Sequence, residues 1–149
     1  MTSPPPATAQ SPVLSWAAQV VGTIAIAFAI YLFFGQSKPF IEGVDPEWTR
    51  FGLVGILAAG APALAYMRRF SAALDADLKA MRARNGVPEP AARRELLRKL
   101  QLGGVLCELP LALGALYLMV GGEKRWFITA ACVSIALRLS YRPFRKTPR

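Results

Sequence analysis

The sequence predicts an all-α integral membrane protein: a four-helix bundle of two antiparallel transmembrane hairpins, with a cytoplasmic helical hairpin extending between spans two and three. Three observations carry that expectation. Hydrophobic residues make up 54% of the 149 positions and fall in long blocks, and a helix needs about 20 apolar residues to cross a bilayer. The charges are segregated, with nine Lys and Arg against four Asp and Glu in residues 68–99 but two against three in residues 36–50. Trp and Tyr gather at block ends, with Trp16, Tyr66 and Tyr141 toward one interface and Tyr31, Trp48, Tyr117 and Trp126 toward the other, as amphipathic rings should. A soluble helical protein would need polar faces that these blocks lack.

Residues 1–12, MTSPPPATAQSP, carry no Lys or Arg and are expected to form a disordered tail. The first span is predicted over about 13–35, a stretch of 23 residues without a charge. It is too long, and lacks the basic flank, for a cleaved signal peptide. Ala18, Gly22, Ala25 and Ala29 recur in it at spacings of four, three and four, so they are expected to form a close-packing face, with Gln19 and Thr23 beside it. Asp45-Pro46-Glu47 then has the chemistry of a helix start, with Asp as N-cap and Pro at the first helical position. The second span follows over about 48–67. There Gly55 and Ala59 are expected at a helix contact, and Pro62 is expected to kink the helix by freeing the Ala58 carbonyl.

RRFSAALDADLKAMRAR continues without a Gly or Pro for 17 residues and is rich in helix formers. Asn85-Gly86 supplies a C-cap, and Pro90 restarts the helix in its first turn. Residues 68–99 therefore read as an antiparallel cytoplasmic hairpin. The third span is predicted over about 100–120, with Gly104, Glu108, Ala112 and Ala115 on its packing face and a kink at Pro110, which frees the Leu106 carbonyl. The fourth is predicted over about 126–141, followed by a basic tail at 142–149. The spans and hairpin form one domain, 13–141.

Positive residues stay on the cytoplasmic side. The basic hairpin and C-terminus are therefore expected inside, and four spans put the N-terminus inside too, in the inner membrane of a cell. Arg68, Arg69, Arg98, Lys99, Arg142, Arg145 and Lys146 are expected to meet anionic headgroups, at about 1 kcal/mol per residue near the surface.

VLCELPLALG, residues 105–114, poses the functional question, because Glu108 places a carboxylate in a lipid-soluble run. The turn GGEKR at 121–125 forces the third and fourth spans to pack antiparallel. Glu108 lies 12 residues before Val120 and Arg138 lies 12 after Trp126. Both therefore fall roughly 18 Å from the hairpin's outer end. An intramembrane ion pair is the expected consequence, since an unpaired charge in hydrocarbon is strongly disfavoured. A proton- or cation-coupling role, or a contact to a second subunit, are the alternatives for Glu108.

The chain has no histidine, and Cys107 and Cys132 are its two cysteines, both expected to be small buried hydrophobes. That inventory leaves no Cys/His metal site, and no cofactor is implied. Paired carboxylates within a span, a Gly-rich phosphate loop and a nucleophile elbow are all missing, so no enzyme activity is expected. Nor does a base-reading or aromatic pattern accompany the cations, which argues against nucleic-acid binding. The expected role is a non-enzymatic accessory or scaffold subunit, in a homo-oligomer or a larger membrane complex. The alternative is a small oligomeric transporter or channel that uses Glu108.

Overall fold

The computed structural model describes residues 11–35 and 46–143, the side chains of 46–50 excepted. Among them it is all-helical, with α1 Pro12–Phe34, α2 Pro46–Ala58, α3 Ala61–Ala83, α4 Pro90–Met119 and α5 Lys124–Ser140. Three stretches are long and apolar enough to cross a membrane: α1, the run Phe51–Ala83 through α2 and α3, and α4. Most of the tail expected at 1–12, the expected N-cap Asp45, and Arg145 and Lys146 lie outside the described residues. Pro12 itself already belongs to α1, at its first position.

The second predicted span is divided. The chain turns at Ala59–Gly60, where the Gly60 amide donates to the Leu57 carbonyl at 3.1 Å. Pro62 sits exposed in the first turn of α3, and the interruption at Ala59–Gly60, with Gly60 itself in right-handed helical geometry, falls just before it, where the proline was expected to disturb the span. Gly55 is no contact point either, because a Cβ there would meet nothing within 4 Å. Ala59 is half-buried in the turn.

The arms of the hairpin are continuous with the apolar helices. α3 stops where Asn85 and Gly86 take φ of 51° and 90°, and the Gly86 amide donates to the Met81 carbonyl at 2.8 Å. Pro90 opens α4, which runs 30 residues through arm and span without a break. Phe70, Leu74, Leu96 and Leu100 close the hairpin as buried contacts. Beyond them Arg93 Nε lies 3.2 Å from Asp77 Oδ1, off the hydrogen-bonding axis, and Arg93 Nη2 donates to Met81 Sδ at 3.1 Å.

α4 is the common partner, with α1, α2, α3 and α5 all packed on it. Two apolar clusters result. One joins α3, α4 and α5 through Ala63, Phe70, Cys107, Leu137 and Tyr141, and the other joins α1, α4 and α5 through Ala27, Leu111, Leu118 and Phe127. Small residues let the helices close. A Cβ on Gly114 would stand 2.5 Å from that of Ala130, and one on Gly103 would enter the Tyr141 ring. Pro110 is buried inside α4. One residue on, the Leu111 amide donates to Ser134 Oγ of α5 at 3.0 Å, so a neighbouring helix serves the backbone beside the proline, as a bilayer requires.

Three expected placements are corrected. Tyr141 is no interfacial ring. It is fully buried, stacks obliquely on Phe70 at 5.1 Å and donates its hydroxyl to the Ala63 carbonyl. Tyr141→Phe is expected to lower stability by about 1 kcal/mol, the usual worth of such a bond, read as a shift in thermal unfolding in detergent. Cys132 is exposed on α5, whereas Cys107 is buried, and both are free thiols. The small stripe of α1 does not face the bundle, because Ala18, Ala25 and Ala29 are exposed and Gly22 has open space beside it. Thr23 and Ala27 lead the face that packs, with Ile30 and Phe34 against the same cluster. On α4, Ala112 is likewise exposed. A short side chain permits close approach, but it does not choose which side the neighbour takes.

Candidate functional site

α5 carries Arg138 on the face that also buries Phe127, Ala131 and Ser134, positions that recur at helical spacing. That face meets α4 at Gly104. A Cβ on Gly104 would collide with Arg138 Nη1 and stand 2.9 Å from Gln19 Oε1, so the guanidinium lies against bare backbone. Arg138 is only 4% exposed.

The guanidinium is met by acceptors from two other helices. Nη2 lies 2.5 Å from Glu108 Oε1 of α4. Nη1 donates to Gln19 Oε1 of α1 at 2.9 Å, and Nε and Nη2 point to Thr23 Oγ1 at 3.3 and 3.2 Å. The Thr23 hydroxyl has one proton to give, with the Gln19 carbonyl at 3.0 Å and Glu108 Oε1 at 3.3 Å as acceptors. Trp16 closes the assembly from α1, donating Nε1–H to the Arg138 carbonyl at 3.1 Å. One polar knot thus ties α1, α4 and α5.

The structure therefore brings Glu108 and Arg138 together and puts Gly104 beside them, with Pro110 half a turn beyond. It leaves Gly55 on α2, Ala59 in the turn and Pro62 on α3, outside the knot. Gln19 and Thr23 are the partners that pair counting misses. Their signal is visible in the sequence: they are polar residues four apart in a helix with no charge.

The carboxylate is unequally served. The hydrogen bonds and ion pair it makes run through Oε1, and its side chain is 41% exposed against 5% for Arg138. A groove of about 440 Å³ lies along α1, lined by Ser11, Leu14, Ser15, Ala18 and Gln19. A second recess, of about 290 Å³, is lined by Trp16, Leu139, Ser140 and Arg142. Of the cations expected at headgroups, Arg68, Arg69, Arg98 and Arg142 are exposed, while Lys99 is half-buried and bound to Glu95 at 3.1 Å.

Fold and knot define the class, a multi-helix membrane protein with a charged pair held among its apolar helices. No family model, curated protein or solved structure compared with the chain matches it.

Proposed function

We propose that the chain is a four-span protein of the inner membrane, both termini cytoplasmic, that serves as a non-enzymatic scaffold or accessory subunit. α5 supplies the fourth span. Its 17 residues reach roughly 25 Å, close to the hydrocarbon thickness of about 30 Å, and its one internal cation is neutralised by Glu108. The basic hairpin sets the orientation.

The observation that carries the scaffold reading is the saturation of Arg138. Its Nε, Nη1 and Nη2 each face an acceptor of the chain itself, so the group is spent on holding three helices in register. Exposed Arg68, Arg69 and Arg98 suit anionic headgroups, and the recess beside Trp16 and Arg142 has the cation, hydroxyl and indole that a headgroup phosphate would meet. Partners in the membrane would be further copies or a larger complex.

Transport is the second reading, favoured by the 41% exposure of Glu108. The two part company in sealed vesicles. A scaffold carries no proton or cation flux above that of protein-free vesicles, with either wild type or Glu108→Gln. A flux that wild type shows and Glu108→Gln loses would end the scaffold reading.

A further inference from the structure

The hairpin carries cations that headgroups do not reach. Lys79, Arg82 and Arg84, near its tip, are exposed. Lys79 and Arg82 stand roughly 16 and 21 Å beyond Arg68 along the unbroken helix α3, at 1.5 Å per residue. The headgroup layer outside the hydrocarbon is only about 5–8 Å deep, and salt screens exposed charges over about 8 Å. Arg68, Arg69 and Arg98 lie within that reach and the distal three lie outside it. Nor does the hairpin answer them itself. Asp77 is buried beside Arg93, and Glu95 is bound to Lys99. The other acids of residues 68–99, Asp75 and Glu89, are half-buried, whereas seven of the nine cations are exposed. The C-terminus of α3 offers its last turn only about half a negative charge.

The arm is also built to hold a shape. Orienting a chain across a bilayer takes cations near the span ends, not a folded arm. Here Phe70 and Leu74 are buried with Leu96 and Leu100, and Arg93 carries the closure further toward the tip by facing Asp77 and donating to Met81. The opposite side of α3 is left open. Arg68, Ala72, Asp75, Lys79 and Arg82 follow one another at spacings of four, three, four and three, which places them in one row along the helix. Ala72, Ala76 and Ala83 are exposed there too. With only short side chains between the cations, an elongated segment has room to lie along this flank.

We propose that the outer flank of α3, at Lys79 and Arg82, docks an acidic helix of a partner protein. A second copy does not fit, because it brings the same cations to the contact. A nucleic acid fits poorly, since three cations neutralise few phosphates and residues 71–99 hold no aromatic ring for a base to stack on. A helix fits because its carboxylates three and four residues apart share one face, the spacing at which α3 presents Lys79 and Arg82. This docking rests on the scaffold or accessory reading and gives it a partner of stated chemistry. Flux in vesicles tests that reading and peptide binding tests the docking, so the two fail separately.

Full-length protein in nanodiscs of zwitterionic lipid tests it, with a labelled helical peptide of about 20 residues as the probe. One peptide carries its glutamates on a single face; a scrambled peptide of equal composition spreads them around the helix. Fluorescence anisotropy at physiological salt is expected to give the one-face peptide a Kd at least tenfold below that of the scrambled one. Lys79→Glu with Arg82→Glu is expected to weaken binding at least tenfold. Ala76→Trp is expected to do the same, because it obstructs the flank without changing its charge. Arg125→Glu, in the turn beyond α4, is expected to leave binding unchanged, and each variant should keep the wild-type unfolding temperature. The proposal is overturned if the one-face peptide does not bind, or if the scrambled peptide binds equally, which is attraction without a docked helix. Tighter binding of a duplex oligonucleotide would make the flank a nucleic-acid surface and overturn it. Loss of peptide binding when the nanodisc contains anionic lipid overturns it as well, because headgroups then hold the cations.

Discussion

Arg138→Leu is expected to lower unfolding stability by about 3–5 kcal/mol, the range found when one partner of a buried ion pair is removed. Three losses add up to that figure. Gln19 Oε1 loses its donor, Thr23 Oγ1 loses its donors, and Glu108 is left with the Thr23 hydroxyl as its single partner. Glu108→Gln should do less harm. A neutral amide can still accept from Nη2, and Gln19 and Thr23 still accept from the guanidinium, which offsets part of the cost of leaving the buried Arg138 charge unpaired. The double variant, Glu108→Gln with Arg138→Leu, is expected to recover most of what Arg138→Leu loses, since no charge then remains to be solvated in the bilayer. Titration of purified protein from mild detergent into dodecyl sulfate, followed by tryptophan fluorescence, gives all three values and their coupling. Additive losses would show that the contact at 2.5 Å contributes no pairing energy. Trp16 donates to the Arg138 backbone, not the side chain, so α1 keeps one tie to α5 in every variant.

The pair could be expected from the sequence because it needs only a short turn and a count of residues. Two antiparallel helices joined by residues 120–123 leave little freedom in register, and both members must avoid lipid. Helix starts and stops were legible for the same local reason: Pro46, Pro90 and the Asn85-Gly86 cap act through backbone chemistry within one turn. What was not legible depends on which side a neighbour takes. Gly22, Gly55, Gly103 and Gly104 look alike in sequence, yet the first two meet open space and the others receive Tyr141 and Arg138. Tyr141 sits at a helix end, where a ring could face headgroups or turn inward, and the bare backbone of Gly103 draws it in. The disturbance before Pro62 was legible from the proline alone, whereas hydropathy is blind to it: residues 51–67 are one apolar stretch whether or not the chain turns at Gly60.

That difference among glycines sets the second large effect. Gly103→Ala is expected to destabilise by about 2–3 kcal/mol, within the range for overpacking a filled core. The added methyl would enter the Tyr141 ring, with the ring's Cζ 3.1 Å away. The ring has no outlet, being fully buried against Phe70 and held by its hydroxyl to the Ala63 carbonyl. α4 and α5 must therefore separate, or the hydroxyl must release α3. Gly104→Ala meets the far end of a flexible side chain, so Arg138 can shift, at the loss of its bond to Gln19, about 1–2 kcal/mol for a charged donor. Gly55→Ala, with nothing within 4 Å, should be neutral or stabilising by up to about 1 kcal/mol through helix propensity. In Tyr141→Ala protein, Gly103→Ala should become nearly silent, because the obstructing ring is gone. The same detergent titration ranks these variants, with Tyr141→Ala alone as the reference for the double variant. A Gly103→Ala effect that persists without the ring would place its cause in the α4 backbone and not at the α4–α5 contact.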